Sequence, residues 1–382
     1  MPRTLVIDDD PQTEPLFRKH LSRLRAQRQD EFIFANSDKE ALEILEAGTE
    51  FDIALVAIDR QDISGMGVFQ QLKNRSLRVP RIALTSGENL TLIRRAMNDG
   101  ATDFLTKPFS FADFIMTLNR VTREVEQRRR NWRERAEFSA LRREIDIAGD
   151  IQQKILPQQY PDRPGLDIHG GMRPAKLMGG DFFDVFDVDD DHIGFVIADV
   201  SGKGVPAAFF MAVAQTLLRS IATGGTGPAE SLAYVNRLLC GYHIPGMFVS
   251  VIYGTLNPST GEICYANGGH QPPYVGNEIG DQPRLLEGGG GTVLGILEDV
   301  EYSEDTAVLA PGEFIYLYTD GITEAFNTDR VQFSEDRLEL SLARHGGQDA
   351  KSLVDAVVSD VEAFSAPAEQ HDDMTSLTVR RI

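Results

Sequence analysis

The sequence predicts two α/β domains in series joined by one long helix: a doubly wound parallel sheet, a helical coiled-coil linker, then a two-sheet sandwich flanked by helices. Three observations carry this. Short apolar runs alternate with amphipathic stretches over roughly the first 120 residues, the pattern of repeated βα units. Between Leu118 and Ile155 there is no proline and no glycine except Gly149, and charges of both signs are dense. Beyond Pro157 strand-like alternation dominates, with a few intervening helices. The expected boundaries are 1–121, 122–156 and 157–382.

In the first domain Leu5–Ile7, Ile53–Ile58, Arg81–Leu84 and Asp103–Leu105 read as strands. Lys39–Glu46, Gly67–Asn74, Leu90–Asn98 and a helix starting at Phe111 alternate with them. In such sheets chemistry gathers at the carboxyl ends of the strands, where Asp8, Asp9, Ala57, Thr85 and Lys107 fall.

These positions resemble CheY-like receiver domains. The resemblance rests on Leu5-Val-Ile-Asp-Asp-Asp-Pro11, Asp62-Ile-Ser-Gly65, Pro80-Arg-Ile-Ala-Leu-Thr-Ser86 and Gly100-Ala-Thr-Asp-Phe-Leu-Thr-Lys-Pro-Phe109. It implies that Asp8 and Asp9 hold magnesium, that Thr85 and Lys107 contact an acyl phosphate, and that an aromatic near Phe104 switches. A histidine kinase or another receiver partner is the implied input. One departure matters more than the matches: the family's phospho-accepting aspartate falls on Ala57, and a methyl group is neither nucleophile nor metal ligand. Arg60-Gln61 replaces the usual Met-Pro. Asp59, two positions on, is a candidate displaced acceptor.

In the connector, apolar or long residues recur at Leu118, Val121, Val125, Arg128, Trp132, Arg135, Phe138, Leu141, Ile145, Ala148, Gln152 and Ile155. Steps of three and four alternate, as in a coiled coil. Successive steps of three between Trp132 and Leu141 mark a stammer, and arginines at two seam positions weaken the seam. A parallel homodimer through this helix is the expected assembly; a single amphipathic helix packed on its own chain is the alternative.

In the last domain Ile193–Ala198, Phe248–Leu256, Glu262–Asn267, Phe314–Tyr318 and Ser376–Arg380 read as strands. Pro206–Ile221, Pro228–Leu239 and Ala350–Phe364 read as helices, the first apolar nearly all round and so expected to be buried. Acids with small neighbours sit at strand ends: Gly179-Gly-Asp181, Ala198-Asp-Val-Ser-Gly-Lys-Gly204, Thr319-Asp-Gly321 and His371-Asp-Asp-Met-Thr375. Several carboxylates without a cysteine or histidine set point to hard cations, Mg²⁺ or Mn²⁺. Two such ions about 3.5–4 Å apart suit an in-line phosphoryl displacement by water.

Each motif alone is weak; the four in this order resemble the PPM metal-dependent protein phosphatases, in the bacterial stage II protein E-like subfamily. Ile145–Pro157, Gly268-Gly-His-Gln-Pro-Pro273 and Leu317–Ala325 extend the likeness. It implies two metals per domain, with Asp199 bridging, the Val200 carbonyl on the first ion, and Asp320 and Asp372 on the second. Asp181 would act through water and Asp373 would support the site. The catalytic set is therefore Asp199, Asp320 and Asp372. Arg173 and Lys176 lie upstream of Asp181 without a firm match to the arginine that eukaryotic relatives use for phosphate. Lys203 either meets phosphate or covers a helix start, and His270 reads as structural. The implied substrate is a phosphoserine or phosphothreonine on a regulatory protein of the anti-sigma-factor-antagonist type. A catalytically inactive adaptor is the rival reading, against which all four acidic motifs stand intact.

The net charge of -20 resides entirely in residues 148–382, because acids and bases nearly cancel before them. That argues against a nucleic-acid surface. Two cysteines make neither a disulfide framework nor a metal motif. No apolar run reads as a membrane span and the N-terminus lacks a signal-peptide pattern, so a cytoplasmic protein is expected.

Overall fold

The computed structural model describes residues 3–24, 31–59, 72, 79–87 and 90–382. They form two compact units, Met1–Ser139 and Ala140–Ile382.

The first unit is a parallel sheet in the order β2-β1-β3-β4-β5. Its strands are β1 (Arg3–Ile7), β2 (Glu31–Ala35), β3 (Ile53–Ala57), β4 (Arg81–Thr85) and β5 (Asp103–Thr106). Helices α1 (Thr13–Leu24), α2 (Asp38–Glu46), α3 (Leu90–Asn98) and α4 (Phe111–Ile155) complete it. Successive strand side chains feed two separate cores, one holding Leu5, Ile7 and Val56, the other Val6, Leu55 and Phe114. Both faces are thus covered, which is why the central strands read as continuous apolar runs. The sequence reading passed over α1 and β2. Helix α1 is charged along its length and shows no strong apolar run. The half-buried edge strand β2 does carry one, Phe32-Ile-Phe-Ala35, which the sequence reading did not use. The helix expected over Gly67–Asn74, the Asp62–Gly65 motif and Arg60-Gln61 lie outside the described residues, Leu72 excepted.

Helix α4 runs unbroken past the expected linker start at residue 122. Its first turns bury Phe114, Leu118 and Val121 in the core of the first unit, whereas Trp132, Phe138 and Leu141 are exposed.

The second unit stacks two antiparallel sheets, β13-β10-β9-β8-β7 and β12-β11-β14-β15-β6. The first contains β7 (Phe182–Asp187), β8 (Ile193–Val200), β9 (Val249–Leu256), β10 (Glu262–Gly268) and β13 (Glu304–Val308). The second contains β6 (Leu166–Arg173), β11 (Tyr274–Gly276), β12 (Arg284–Leu285), β14 (Phe314–Tyr318) and β15 (Met374–Arg381). Phe183, Ile197 and Ile252 from one sheet meet Ile315, Leu377 and Val379 from the other in the central core. Helices α5 (Val205–Ala222) and α6 (Pro228–Gly241) cover the first sheet. Helices α8 (Ser334–His345) and α9 (Ala350–Ser365) cover the second, with the single turn α7 (Asp320–Thr323) between β14 and α8.

Helix α5 corrects the expectation of burial all round: Ala207, Met211, Ala214 and Leu218 are buried, but Phe209 and Val205 are exposed. By length and hydropathy alone it could cross a membrane; here it is a core helix, tied to β7 by Gln215 and Arg219, which both donate to the buried Asp184 carboxylate. The sequence reading also missed β6, β7, β11, β12, β13 and α8.

Candidate active site

Four strand ends meet at one edge of the sandwich. Asp181 immediately precedes β7 and Asp199 is the penultimate residue of its neighbour β8. Asp320 opens α7 just after β14, and Asp372-Asp373 immediately precede β15, which pairs with β14. The two sheets therefore each deliver a pair of acidic termini to the same place.

Asp181 is buried, and its Oδ2 accepts hydrogen bonds from Thr319 Oγ1 and Thr375 Oγ1, each at 2.7 Å. Both threonines belong to the opposite sheet. They are the functional residues the sequence reading quoted inside its motifs without assigning a role. Burial, then Asp199 and Asp373, hold the Asp181 carboxyl well above its ordinary range. Asp199 is also raised, by burial first and by Asp372 and Asp373, and a hydrogen bond with Asp181 offsets part of this. Burial, Asp199, Asp372 and Glu324 push Asp320 up to about 7. Carboxylates that raise one another in this way are crowded anions wanting a cation.

Asp373 has a different position. It is buried and its two oxygens accept the backbone N–H of Ala175 (2.8 Å) and Gly180 (2.7 Å), fixing the loop in front of Asp181. Close backbone approaches make two glycines obligatory. A Cβ on Gly180 would stand 2.7 Å from the Val200 carbonyl oxygen, and one on Gly321 would stand 1.9 Å from the Asp373 carbonyl oxygen. On the other side of the loop the buried Gln152 of α4 grips Gly179 twice, donating to its carbonyl at 2.6 Å and accepting its N–H at 3.1 Å.

Among the described residues no three His, Cys, Asp or Glu side chains close around a single ion position. The donor chemistry nevertheless fits hard divalent cations: Asp199, Asp320 and Asp372 are oxygen donors in mutual electrostatic contact, and the Val200 carbonyl lies beside Gly180 at the same edge.

Of the candidate phosphate-binding cations, Arg173 is ion-paired with Glu362, and Lys176 is exposed. Lys203 reaches the acidic cluster, 2.9 Å from Asp372 Oδ2 and donating to the His371 carbonyl at 2.6 Å. His270 is buried between the sheets. Its Nε2 donates to the Tyr318 carbonyl (2.9 Å), so in the neutral ring Nδ1 accepts from Ser250 Oγ (2.8 Å). It bridges β9 to β14 and is structural.

Burial depresses the His270 pKa to about 4 from 6.5. Its neutral form is favoured by folding, so the associated stability is present above pH 6.5 and is lost as pH falls from 6.5 towards 4. The loss is about 3 kcal/mol. Urea unfolding at pH 7.5 and pH 4.5 should show a smaller acid loss in His270→Gln than in wild type; equal losses would remove His270 as the cause.

In the first unit, Asp8 and Asp9 follow β1, Ala57 ends β3, Thr85 ends β4, and Lys107 follows β5. Asp8 Oδ2 is ion-paired with Lys107 and accepts from Thr13 Oγ1 at 2.7 Å. Ala57 is a buried methyl group. Asp59 instead brings its carboxylate to the end of β4, where Thr85 Oγ1 donates at 2.8 Å and the Ser86 N–H also donates. Phe104, on β5, is exposed.

The model for stage II sporulation protein E matches residues 189–382, and that for the response regulator receiver domain matches residues 4–119. Phosphoserine phosphatase RsbU of Bacillus subtilis is 31% identical over 63% of this chain and 71% of its own length. Protein IcfG of Synechocystis is 29% identical over 63% of this chain, which spans 42% of that relative. Among solved structures, the SiaA PP2C domain of Pseudomonas aeruginosa superposes with a TM-score of 0.57, covering 65% of this chain and 98% of that one at 23% identity. The chain belongs to the stage II sporulation protein E family of metal-dependent serine/threonine protein phosphatases, and it carries a response regulator receiver domain.

Proposed function

We propose that the second unit hydrolyses phosphoserine or phosphothreonine on a regulatory protein of the anti-sigma-factor-antagonist type, using two Mn²⁺ or Mg²⁺ ions. The observation that carries this is the convergence of Asp181, Asp199, Asp320 and Asp372 from both sheets, where burial and neighbouring acids raise the carboxyl pKa values of Asp181, Asp199 and Asp320. Asp199, Asp320, Asp372 and the Val200 carbonyl would hold the ions. When bound, they supply Lewis-acid activation of water and neutralise phosphate charge. Asp181, locked by Thr319 and Thr375, orients water at the site, and Asp373 fixes the loop before it. A phosphatase assay on candidate phospho-antagonists, with Mn²⁺ and with chelator, tests the reading: metal-dependent phosphate release is expected, and turnover undiminished by excess chelator would overturn it.

For the receiver, 1–121 in this reading, Ala57 removes the nucleophile and Asp59 is already engaged by Thr85 and Ser86. Acetyl phosphate should leave residues 1–121 unmodified by mass spectrometry, and Ala57→Asp should gain a hydroxylamine-sensitive adduct, since Asp8, Thr85 and Lys107 are in place. An adduct on Asp59 in the unaltered chain would refute this.

The linker, 122–156, is proposed to pair two chains ahead of the catalytic domain, 157–382. Its exposed Trp132, Phe138 and Leu141 lie on the heptad seam. Inserting seven residues near Phe138 keeps the heptad phase, whereas one or four changes it. Turnover of the dimer should survive the insertion of seven better than that of one or four. Equal turnover in all three would make the linker a tether only.

A further inference from the structure

Resting on the phosphatase reading above, we propose that the cavity beside Asp372 receives the substrate chain. Lys203 holds the phosphoryl oxygens, and the acidic rim selects a segment with a lysine or arginine next to the phosphorylated residue.

The cavity measures about 430 Å³ and opens directly onto Asp372, between α7, the C-terminal end of α9 and the loop 366–372. It is large enough for a short stretch of chain rather than a single phosphate. One wall is the Phe326 ring stacked on His371, with centroids 4.1 Å apart and an interplanar angle of 22°. Val361, Pro367 and Met374 add apolar surface.

Among the described residues, Lys203 is the one lysine or arginine that lines it. An ammonium has three N–H donors. Two are engaged, by Asp372 and the His371 carbonyl, which leaves one for an incoming oxygen. A phosphate ester approaching several carboxylates needs a fixed cation at that point, and Arg173 is committed to Glu362. Lys203 is also anchored by chain geometry, because it sits in the turn between β8, which carries Asp199, and the start of α5. The phosphate it holds is therefore registered against Asp199.

The rim has the opposite sign. Glu324 and Glu369 line the cavity, are exposed, and form no ion pair among the described residues. An acidic peptide is repelled there and a basic flanking residue is attracted.

The test uses the full chain with Mn²⁺, p-nitrophenyl phosphate, and three phosphoserine peptides that carry Lys, Ala or Glu beside the phosphoserine. Wild type should prefer the Lys peptide over the Glu peptide in kcat/KM, and Glu324→Gln/Glu369→Gln should shrink that ratio by about three- to fivefold. Lys203→Gln should raise KM for every phosphomonoester by about ten- to a hundredfold, with Lys203→Arg recovering most of it. Mn²⁺ titration of Lys203→Gln separates this from a role in merely restraining Asp372, which would change metal affinity and leave KM alone. A flat wild-type flank preference, or an unchanged KM in Lys203→Gln, overturns the inference while leaving the phosphatase reading intact. Wild type inert towards p-nitrophenyl phosphate and all three peptides overturns both.

Discussion

Asp199→Ala should lose Mn²⁺-dependent turnover by about 10³-fold or more, the scale on which groups acting at a reacting centre are lost. Asp320→Ala should do the same. Both carboxylates are held in this cluster against their own chemistry: burial and neighbouring acids raise them, Asp320 to about 7. A native state does not crowd anions without an offset, and divalent cations are the offset that oxygen donors select. Neither residue anchors the core. Asp199 follows Ala198, which is fully buried, and Asp320 follows Tyr318 and Thr319, which hold the end of β14 without it. Thermal unfolding of each variant in chelator should therefore match or exceed wild type, because one repelling charge has gone. In Mn²⁺ wild type should show a metal-induced rise in Tm, and the variants should lose it. Full turnover in either variant would sink the assignment, and collapse of the fold in chelator would make the acids structural.

The acids were legible in the sequence because Asp beside Gly or Ser at the end of an apolar run is a local pattern. The strands behind Asp199, Asp320 and Asp372 were legible too, since Ile193–Val200, Phe314–Tyr318 and Met374–Arg381 are almost wholly buried and read as apolar or β-branched runs. What was not legible depends on pairing across the sandwich. Strand β6 reads Leu-Asp-Ile-His-Gly-Gly-Met-Arg, too glycine-rich and polar to stand out. Yet Gly170 is where the Phe183 ring of the other sheet packs, so a Cβ there would lie 2.4 Å from it. Thr319 and Thr375 looked like ordinary β-formers, and only the meeting of the two sheets turns them towards Asp181. Lys203 was evenly balanced as a sequence feature. Its proximity to Asp372, 169 positions further along the chain, is a property of the fold.

Gln152→Leu should cost stability and turnover together, although Gln152 touches neither substrate nor the metal-ligand candidates. It is buried near the C-terminal end of α4, where a polar side chain is expensive unless fully satisfied. Both ends of its amide are satisfied by one residue, Gly179, through the carbonyl at 2.6 Å and the N–H at 3.1 Å. One residue on, the Gly180 N–H is bound by Asp373, and the next residue is Asp181 itself. One turn before Gln152, Gly149 lets the helix approach the same loop so closely that a Cβ would lie 2.6 Å from the Leu177 carbonyl oxygen. The helix is thus seated on the loop that carries Asp181, through contacts that depend on its rotation about its own axis. Leucine matches the volume but leaves the Gly179 N–H and carbonyl buried without partners, at about 1–3 kcal/mol for each group. Urea unfolding should show that loss. With the chain still folded, kcat should fall by about tenfold or more while KM for p-nitrophenyl phosphate changes little, because the geometry around Asp181 is disturbed and the substrate cavity is not. Gln152→Glu keeps the acceptor for the Gly179 N–H but loses the donor, so it should fall between wild type and leucine in kcat. If Gln152→Leu loses stability alone and its kcat is unchanged, the clamp only glues the helix down, and the end of α4 has no hold on the chemistry.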